Sequence, residues 1–167
     1  MNNTFYMDFK RCSGCYACMV ACMDQNDIDV KETSLLFRKV YCHEQGNFPD
    51  EQAVFVTFAC MHCEDTPCLF GCPTAAITVD SEVGAVYVNA ALCIGCHSCA
   101  MSCPFGIPRF DNEGTMKKCH SCRTRVKNNL EPACVRACPT LALQYGPLNQ
   151  IGEQKAGIAS KKLLTTL

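Results

Sequence analysis

The chain has 167 residues, 17 of them cysteine, with no tryptophan, 8% aromatic residues and a formal net charge of -1. Domains commonly run about 100 to 200 residues, so this length suits one compact unit or two small modules. No apolar run approaches the roughly 20 residues that a bilayer crossing needs, so a chain soluble by itself, without a direct membrane span, is expected.

The first element is the apolar run from Phe5 to Phe9, read as a short strand. It leads into Cys12, Cys15, Cys18 and Cys22, spaced C-x2-C-x2-C-x3-C, and Met19 and Ala21 suit the opening turn of a helix there. Cys42, beside His43 in KVYCHEQ, stands alone; a lone cysteine reads as a small buried hydrophobe, and it has no assigned role. A second apolar run, Val54 to Phe58, precedes Cys60, Cys63, Cys68 and Cys72. Ile77 to Val79 and Val86 to Val88 then flank the turn signal Asp80 to Gly84, which predicts a hairpin. Cys93, Cys96, Cys99 and Cys103 repeat the first spacing, with Ala100 and Met101 again favouring a helical turn. Cys119, Cys122, Cys134 and Cys138 form the last group, followed by the run Leu141 to Tyr145. Proline follows the final cysteine of three groups, as Pro73, Pro104 and Pro139, where its fixed φ and missing N–H turn the chain; Met23 stands there in the first.

Sixteen cysteines in four groups of four point to iron-sulfur chemistry. Gaps of two residues let a loop curl round one compact object with several metal corners, each thiolate meeting its own iron. The fourth cysteine of the ferredoxin run reaches a different cluster. A disulfide scaffold is the rival suggested by cysteine content above about 8 to 10 percent. The start, MNNTFYMDFKRC, shows no apolar signal region, so no route to an oxidising compartment is visible. Zinc would use paired C-x2-C knuckles; the last group alone could pass for one, the other three could not. An oxidised 4Fe-4S cube with four thiolates carries about -2, so four bring the loaded protein near about -9, which disfavours nucleic acid as a partner.

Taken together, FKRCSGCYACMVAC, FACMHCEDTPCLFGCPTAAI, LCIGCHSCAMSCPFGIPRF, and KKCHSC followed by EPACVRACPTLAL make residues 4 to 146 resemble a known family. These are the four-cluster, ferredoxin-like electron-transfer subunits of the dimethyl sulfoxide reductase group of molybdenum and tungsten oxidoreductases. The resemblance implies an α+β fold of two bacterial-ferredoxin-like modules, one inserted in the other, with short strands and helices around four 4Fe-4S clusters. It sets an outer module over 1–48 and 105–146, an inserted module over 49–104, and a tail over 147–167. Carried over, it gives the first cluster Cys12, Cys15, Cys18 and Cys138, and the second Cys22, Cys119, Cys122 and Cys134. The third takes Cys60, Cys63, Cys68 and Cys103, and the fourth Cys72, Cys93, Cys96 and Cys99. Some relatives replace a cysteine of the third group; this chain keeps all four.

The implied function is to relay single electrons between a molybdenum- or tungsten-pterin catalytic subunit and a second redox subunit or carrier. The catalytic subunit is of the bis-pterin reductase or formate dehydrogenase type, or of the aldehyde oxidoreductase type, and the whole is a hetero-oligomer of anaerobic metabolism. No hydride-cofactor fingerprint or nucleophile constellation is present, so no catalytic residue is assigned. The alternatives are a freestanding polyferredoxin shuttle and an assembly or scaffold protein for a hydrogenase or formate enzyme. The basic residues Arg109, Lys117, Lys118, Arg123, Arg125 and Lys127 read as a solvated face offsetting cluster charge, with a docking patch for an acidic partner as the other reading. His62, His97 and His120 lie inside cysteine loops and are expected at the surface or hydrogen-bonded to sulfur rather than as ligands. The tail carries scattered Ile151, Ile158, Leu163, Leu164 and Leu167 with Lys161 and Lys162. It suits a short helix, an unstructured end, or an arm for docking or self-association. Cytoplasmic location is expected, with periplasmic co-export alongside a signal-bearing partner as the alternative.

Overall fold

The computed structural model describes residues 3–164. Its strands form four separate two-stranded antiparallel ribbons, joined by cysteine loops and by helices that are mostly four to nine residues long. Such small pieces have too little apolar area to make a layered core, and the cysteines themselves supply part of it.

The two ends of the chain meet first. Strand β1 (Asn3–Met7) pairs with β8 (Leu143–Pro147), Phe5 standing opposite Tyr145 and Met7 opposite Leu143. The Phe5 and Tyr145 rings lie 4.8 Å apart, and Phe5 and Met7 pack on buried Cys134, Val135 and Leu143. Cys134 and Val135 sit on helix α5 (Ala133–Arg136), which packs against α1 (Ala17–Gln25), so the first and last cysteine groups share one small core. The runs expected at Phe5 to Phe9 and Leu141 to Tyr145 are both strands, displaced by about two residues because the cysteine loops claim their inner ends.

The hairpin expected in the middle is present. Strand β4 (Ile77–Asp80) pairs with β5 (Ala85–Val88), and Gly84 N–H closes the turn on Asp80 O at 2.8 Å. Ile77 and Val86 form a second core with Cys99 and Met116. Cys99 lies on α3 (Ser98–Ser102), beside α2 (Pro67–Phe70), and Met116 on β7 (Met116–Lys117), which pairs with β6 (Arg109–Phe110). Asp80 also ties this hairpin to α4 (Arg123–Lys127): Lys127 Nζ lies 2.9 Å from its carboxylate.

Two expectations change. Val54 to Phe58 belongs to β3 (Gln52–Phe58), but its partner β2 (Lys39–Gln45) was not foreseen, and Cys42 within β2 is exposed, not a buried hydrophobe. A two-stranded ribbon has one face without a covering layer, and most of β2 lies open. The tail is helix α6 (Leu148–Leu164), which lies against β1 and β8. Ile151 is buried there, Ile158 is exposed, and Lys155 Nζ sits 3.7 Å from the Tyr6 ring centroid and 3.7 Å from the Asp8 carboxylate. Leu167 lies outside the described residues.

Candidate functional site

All four cysteine groups bend the backbone the same way. The residue two places after the first cysteine is left-handed in each: Gly14 (φ 67), His62 (φ 48), Gly95 (φ 66) and Ser121 (φ 56). A second left-handed residue then opens a short helix: Tyr16 before α1, Thr66 before α2 and His97 before α3, each of which carries a later cysteine, and Cys122 before α4, which carries none. Alternation of this kind turns successive N–H groups toward a common centre, a concavity that accepts negative charge. At the last group Ser121 N–H reaches Cys119 Sγ at 3.4 Å. Glycine does this without cost, while His62 and Ser121 hold a conformation that costs about 1–3 kcal/mol.

The hollows so formed draw on more than one group. One apolar hollow is lined by Cys72, Cys93, Cys96 and Cys99, with Ile77, Ile94, Phe110 and Met116. Another is lined by Cys60, Cys63, Cys68 and Cys103, with Met61, Val86, Phe105 and Ile107. Each therefore takes one cysteine from a neighbouring group. In the half built from the chain ends the sulfurs are neighbours through their charges. Burial pushes the Cys22 thiol well above its ordinary range, and Cys119, Cys134 and Cys122 push it further. At Cys18 burial again raises the thiol, opposed by the Thr57 hydroxyl and Arg38 and assisted by Cys138 and Cys12. Cys99 is raised by burial to about 11. Among the described residues no three His, Cys, Asp or Glu side chains close on a single-ion point.

Buried thiols pushed upward cannot ionise unless a cation faces them, and bound iron provides that. The residues thus fit iron-sulfur clusters: sixteen soft donors, dry walls and inward N–H groups. The chain adds its own charge as well. Arg38, 3% exposed, acts on Cys134, Cys119, Cys18 and Cys22. Its Nη1 donates to Thr57 Oγ1 at 3.2 Å, and that hydroxyl lies 3.4 Å from Cys18 Sγ. Asn26 Nδ2 reaches Cys22 Sγ at 3.7 Å, and the Thr74 and Thr140 hydroxyls lie 3.6 and 3.7 Å from Cys72 and Cys138. At Cys72 burial raises the thiol, but the Thr74 hydroxyl and the backbone N–H groups at Thr74, Ala76 and Ile77 outweigh it, so the net shift is downward.

Comparison with known proteins agrees with this donor set. Residues 51–148 match the family described as "4Fe-4S dicluster domain". The chain is 37% identical over 157 residues to the B component of the anaerobic dimethyl sulfoxide reductase of Haemophilus influenzae, a match covering 88% of this chain and 75% of that protein. It is 35% identical over 165 residues to the corresponding component in Escherichia coli K12, covering 93% and 78%. The chain belongs to the iron-sulfur subunits of the dimethyl sulfoxide reductase family. The B component of the sulfite dehydrogenase of Allochromatium vinosum is a further relative, 33% identical over 162 residues, covering 86% and 68%. As a member of this family the chain is an electron-transfer subunit that carries 4Fe-4S clusters. No helix among the described residues is long and apolar enough to cross a membrane.

In this iron-sulfur subunit the histidines of the cysteine loops behave differently from one another. His62 Nδ1 accepts from Val86 N–H at 3.0 Å, and burial holds its pKa well below the usual imidazole value. His120 Nε2 donates to Asn26 Oδ1 at 2.8 Å, placing it one step behind the bond to Cys22. His97 stacks on Phe110 at 3.8 Å. The reading of the basic residues as a solvated face fails at Lys118, which is 5% exposed, and holds in part at Arg123 and Lys127, which pair with Asp80. Lys117 pairs with Asp111 at 3.3 Å, and Arg109 turns back on Gly106 O at 2.6 Å. Sequence reasoning missed Arg38, Asn26 and the threonines. The repeated Cys-Pro-Thr at Cys72 and Cys138 could have revealed Thr74 and Thr140, whereas nothing local marks Arg38.

Proposed function

We propose that this chain binds four 4Fe-4S clusters in two ferredoxin-like modules, 49–104 inserted between 1–48 and 105–146. The proposed ligand sets are Cys12, Cys15, Cys18 and Cys138; Cys22, Cys119, Cys122 and Cys134; Cys60, Cys63, Cys68 and Cys103; and Cys72, Cys93, Cys96 and Cys99. The observation that carries this reading is the crossing of groups: Cys103 lines the hollow of Cys60, Cys63 and Cys68, and Cys72 that of Cys93, Cys96 and Cys99. The charge coupling of Cys22 to Cys119, Cys122 and Cys134, and of Cys18 to Cys138 and Cys12, supports the same exchange at the chain ends. Pairing of β1 with β8 supports an outer module made from both ends.

When bound, each cluster accepts and gives up one electron. The chain's residues hold four thiolates per site, keep water out with Ile77, Val86, Phe110 and Met116, and aim N–H groups at sulfur. Added negative charge is thereby accommodated with little rearrangement. The relay runs between a molybdenum- or tungsten-pterin catalytic subunit and a second redox partner. The names of the relatives, which place them in a dimethyl sulfoxide reductase and a sulfite dehydrogenase, favour the bis-pterin class over the aldehyde oxidoreductase class. Anaerobic purification of the native complex should give about sixteen irons per copy of this chain and molybdenum or tungsten in a co-purifying subunit. A chain eluting alone, with neither metal in any companion, defeats the partner half of the proposal. An iron content near half that value defeats the four-cluster half.

A further inference from the structure

Lys118 is buried at 5% exposure, and its ammonium has three protons to place. Three acceptors meet them: Cys60 Sγ at 3.5 Å, Cys119 O at 3.0 Å, and Val86 O. Cys60 and Val86 belong to the proposed inserted module and Cys119 to the outer one, so this one side chain ties them together. The other backbone group of Val86 is occupied too, since its N–H donates to His62 Nδ1. Val86 of β5 thus has both outward backbone groups taken, one by His62 and one by Lys118.

Among the described residues no carboxylate pairs with Lys118, whereas Lys117, Arg123, Lys127 and Lys155 each face an Asp or Glu. A buried ammonium facing only two carbonyls and a neutral thiol would lack a counter-charge, and buried charges without one are strongly disfavoured. The acceptor able to carry negative charge is the Cys60 sulfur. The positive charge of Lys118 also acts on Cys63 and Cys68, two more thiols of the same hollow. It is not among the main influences on Cys72, Cys96 or Cys99.

We propose that Lys118 is a positioning residue for electron transfer, whose buried ammonium is the counter-ion of the cluster held by Cys60, Cys63, Cys68 and Cys103 and raises the reduction potential of that cluster, leaving the cluster held by Cys72, Cys93, Cys96 and Cys99 unaffected. The inference rests on the ligand sets proposed above. A fixed positive charge beside a sulfur favours the reduced cluster, which carries one more negative charge, and low surrounding dielectric enlarges the effect. The effect is local to the Cys60 cluster, because the ammonium contacts Cys60 and Cys119 and no sulfur of the Cys72 hollow.

The test is a redox titration of the iron-loaded full chain followed by electron paramagnetic resonance, comparing wild type with Lys118→Met and Lys118→Arg. Lys118→Met should lower the equilibrium constant for reducing the Cys60 cluster at least roughly tenfold, about 59 mV for a one-electron couple. The Cys72 cluster should not move, and Lys118→Arg should restore most of the loss. An unmoved Cys60 cluster, or an equal shift of all clusters, overturns the proposal. If Lys118→Met loses its iron, wild type labelled with nitrogen-15 lysine decides instead. Pulsed resonance must then show a lysine nitrogen coupled to the reduced Cys60 cluster, and absence of that coupling overturns the proposal. Iron content and the cluster signals of wild type read the ligand sets separately: a wild type without a cluster at Cys60 refutes that set and the proposal with it, whereas a full complement with unmoved potentials refutes the role of Lys118 alone.

Discussion

Around Cys22, Cys119, Cys122 and Cys134 every sulfur-bearing residue is buried and the charge of Arg38 acts on all four thiols, while around Cys72, Cys96 and Cys99 none of the main influences is an arginine or lysine. Cys96 is exposed, and its thiol is held below the ordinary value by hydrogen bonds from Ser98, the side-chain bond first. The two regions present the same donor atoms, so clusters bound as proposed would differ through buried charge in one and through hydroxyl and N–H dipoles in the other. Like donor sets thus need not mean equal potentials. Surroundings tune each site separately.

The largest change expected from breaking this contrast is at a ligand. Cys22→Ser should remove or convert the cluster of Cys119, Cys122 and Cys134 and leave that of Cys12, Cys15, Cys18 and Cys138 in place, read by electron paramagnetic resonance; damage confined to the latter would refute the crossed assignment. Next comes Arg38→Met, which strips the buried region of a cation. Loss of one partner from a buried charge set costs about 3–5 kcal/mol, so the guanidinium midpoint for loss of cluster absorption should fall, and the two outer clusters should titrate at lower potential while the Cys72 cluster stays put.

Gly14→Ala tests the turn on which the first loop depends. Its φ is 67, and an added Cβ would lie 2.5 Å from the Phe55 ring. A cost of about 1–3 kcal/mol is expected, seen as a lower midpoint, whereas Ser121→Gly should relieve strain at the equivalent place. Thr74→Val removes a hydroxyl 3.6 Å from Cys72 and should shift that cluster downward by less than Arg38→Met shifts the outer pair. The smallest effect concerns pH. Lys127, by its hydrogen bond, holds the Asp80 carboxyl below its ordinary range despite burial. Its stabilising contribution is therefore complete above about pH 3.9 and is lost as pH falls through the lower folded value; Asp80→Asn should flatten that acid limb in a stability profile.

Much of the donor chemistry was legible in the chain. Two-residue gaps and the β-branched runs around Asp80 to Gly84 act over a few residues, so spacing reveals them. The same local logic covers the threonines of Cys-Pro-Thr, which meet the sulfur two residues away. Strand β2 escaped because KVYCHEQ is mostly polar and exposed, so its pairing with β3 is not announced by an apolar pattern.

That soft, closely spaced donors form loops around metal corners follows from the chain alone, because turn geometry and ligand type are properties of short segments. Long-range packing settles which groups share a hollow, that Arg38 and Lys118 are buried beside sulfur, and that His120 hydrogen-bonds Asn26. Those outcomes depend on what packs over a side chain. Lys118 meets Cys60 across 58 positions and His120 meets Asn26 across 94, and burial of a charge is set by such distant neighbours, not by the residues beside it in the chain.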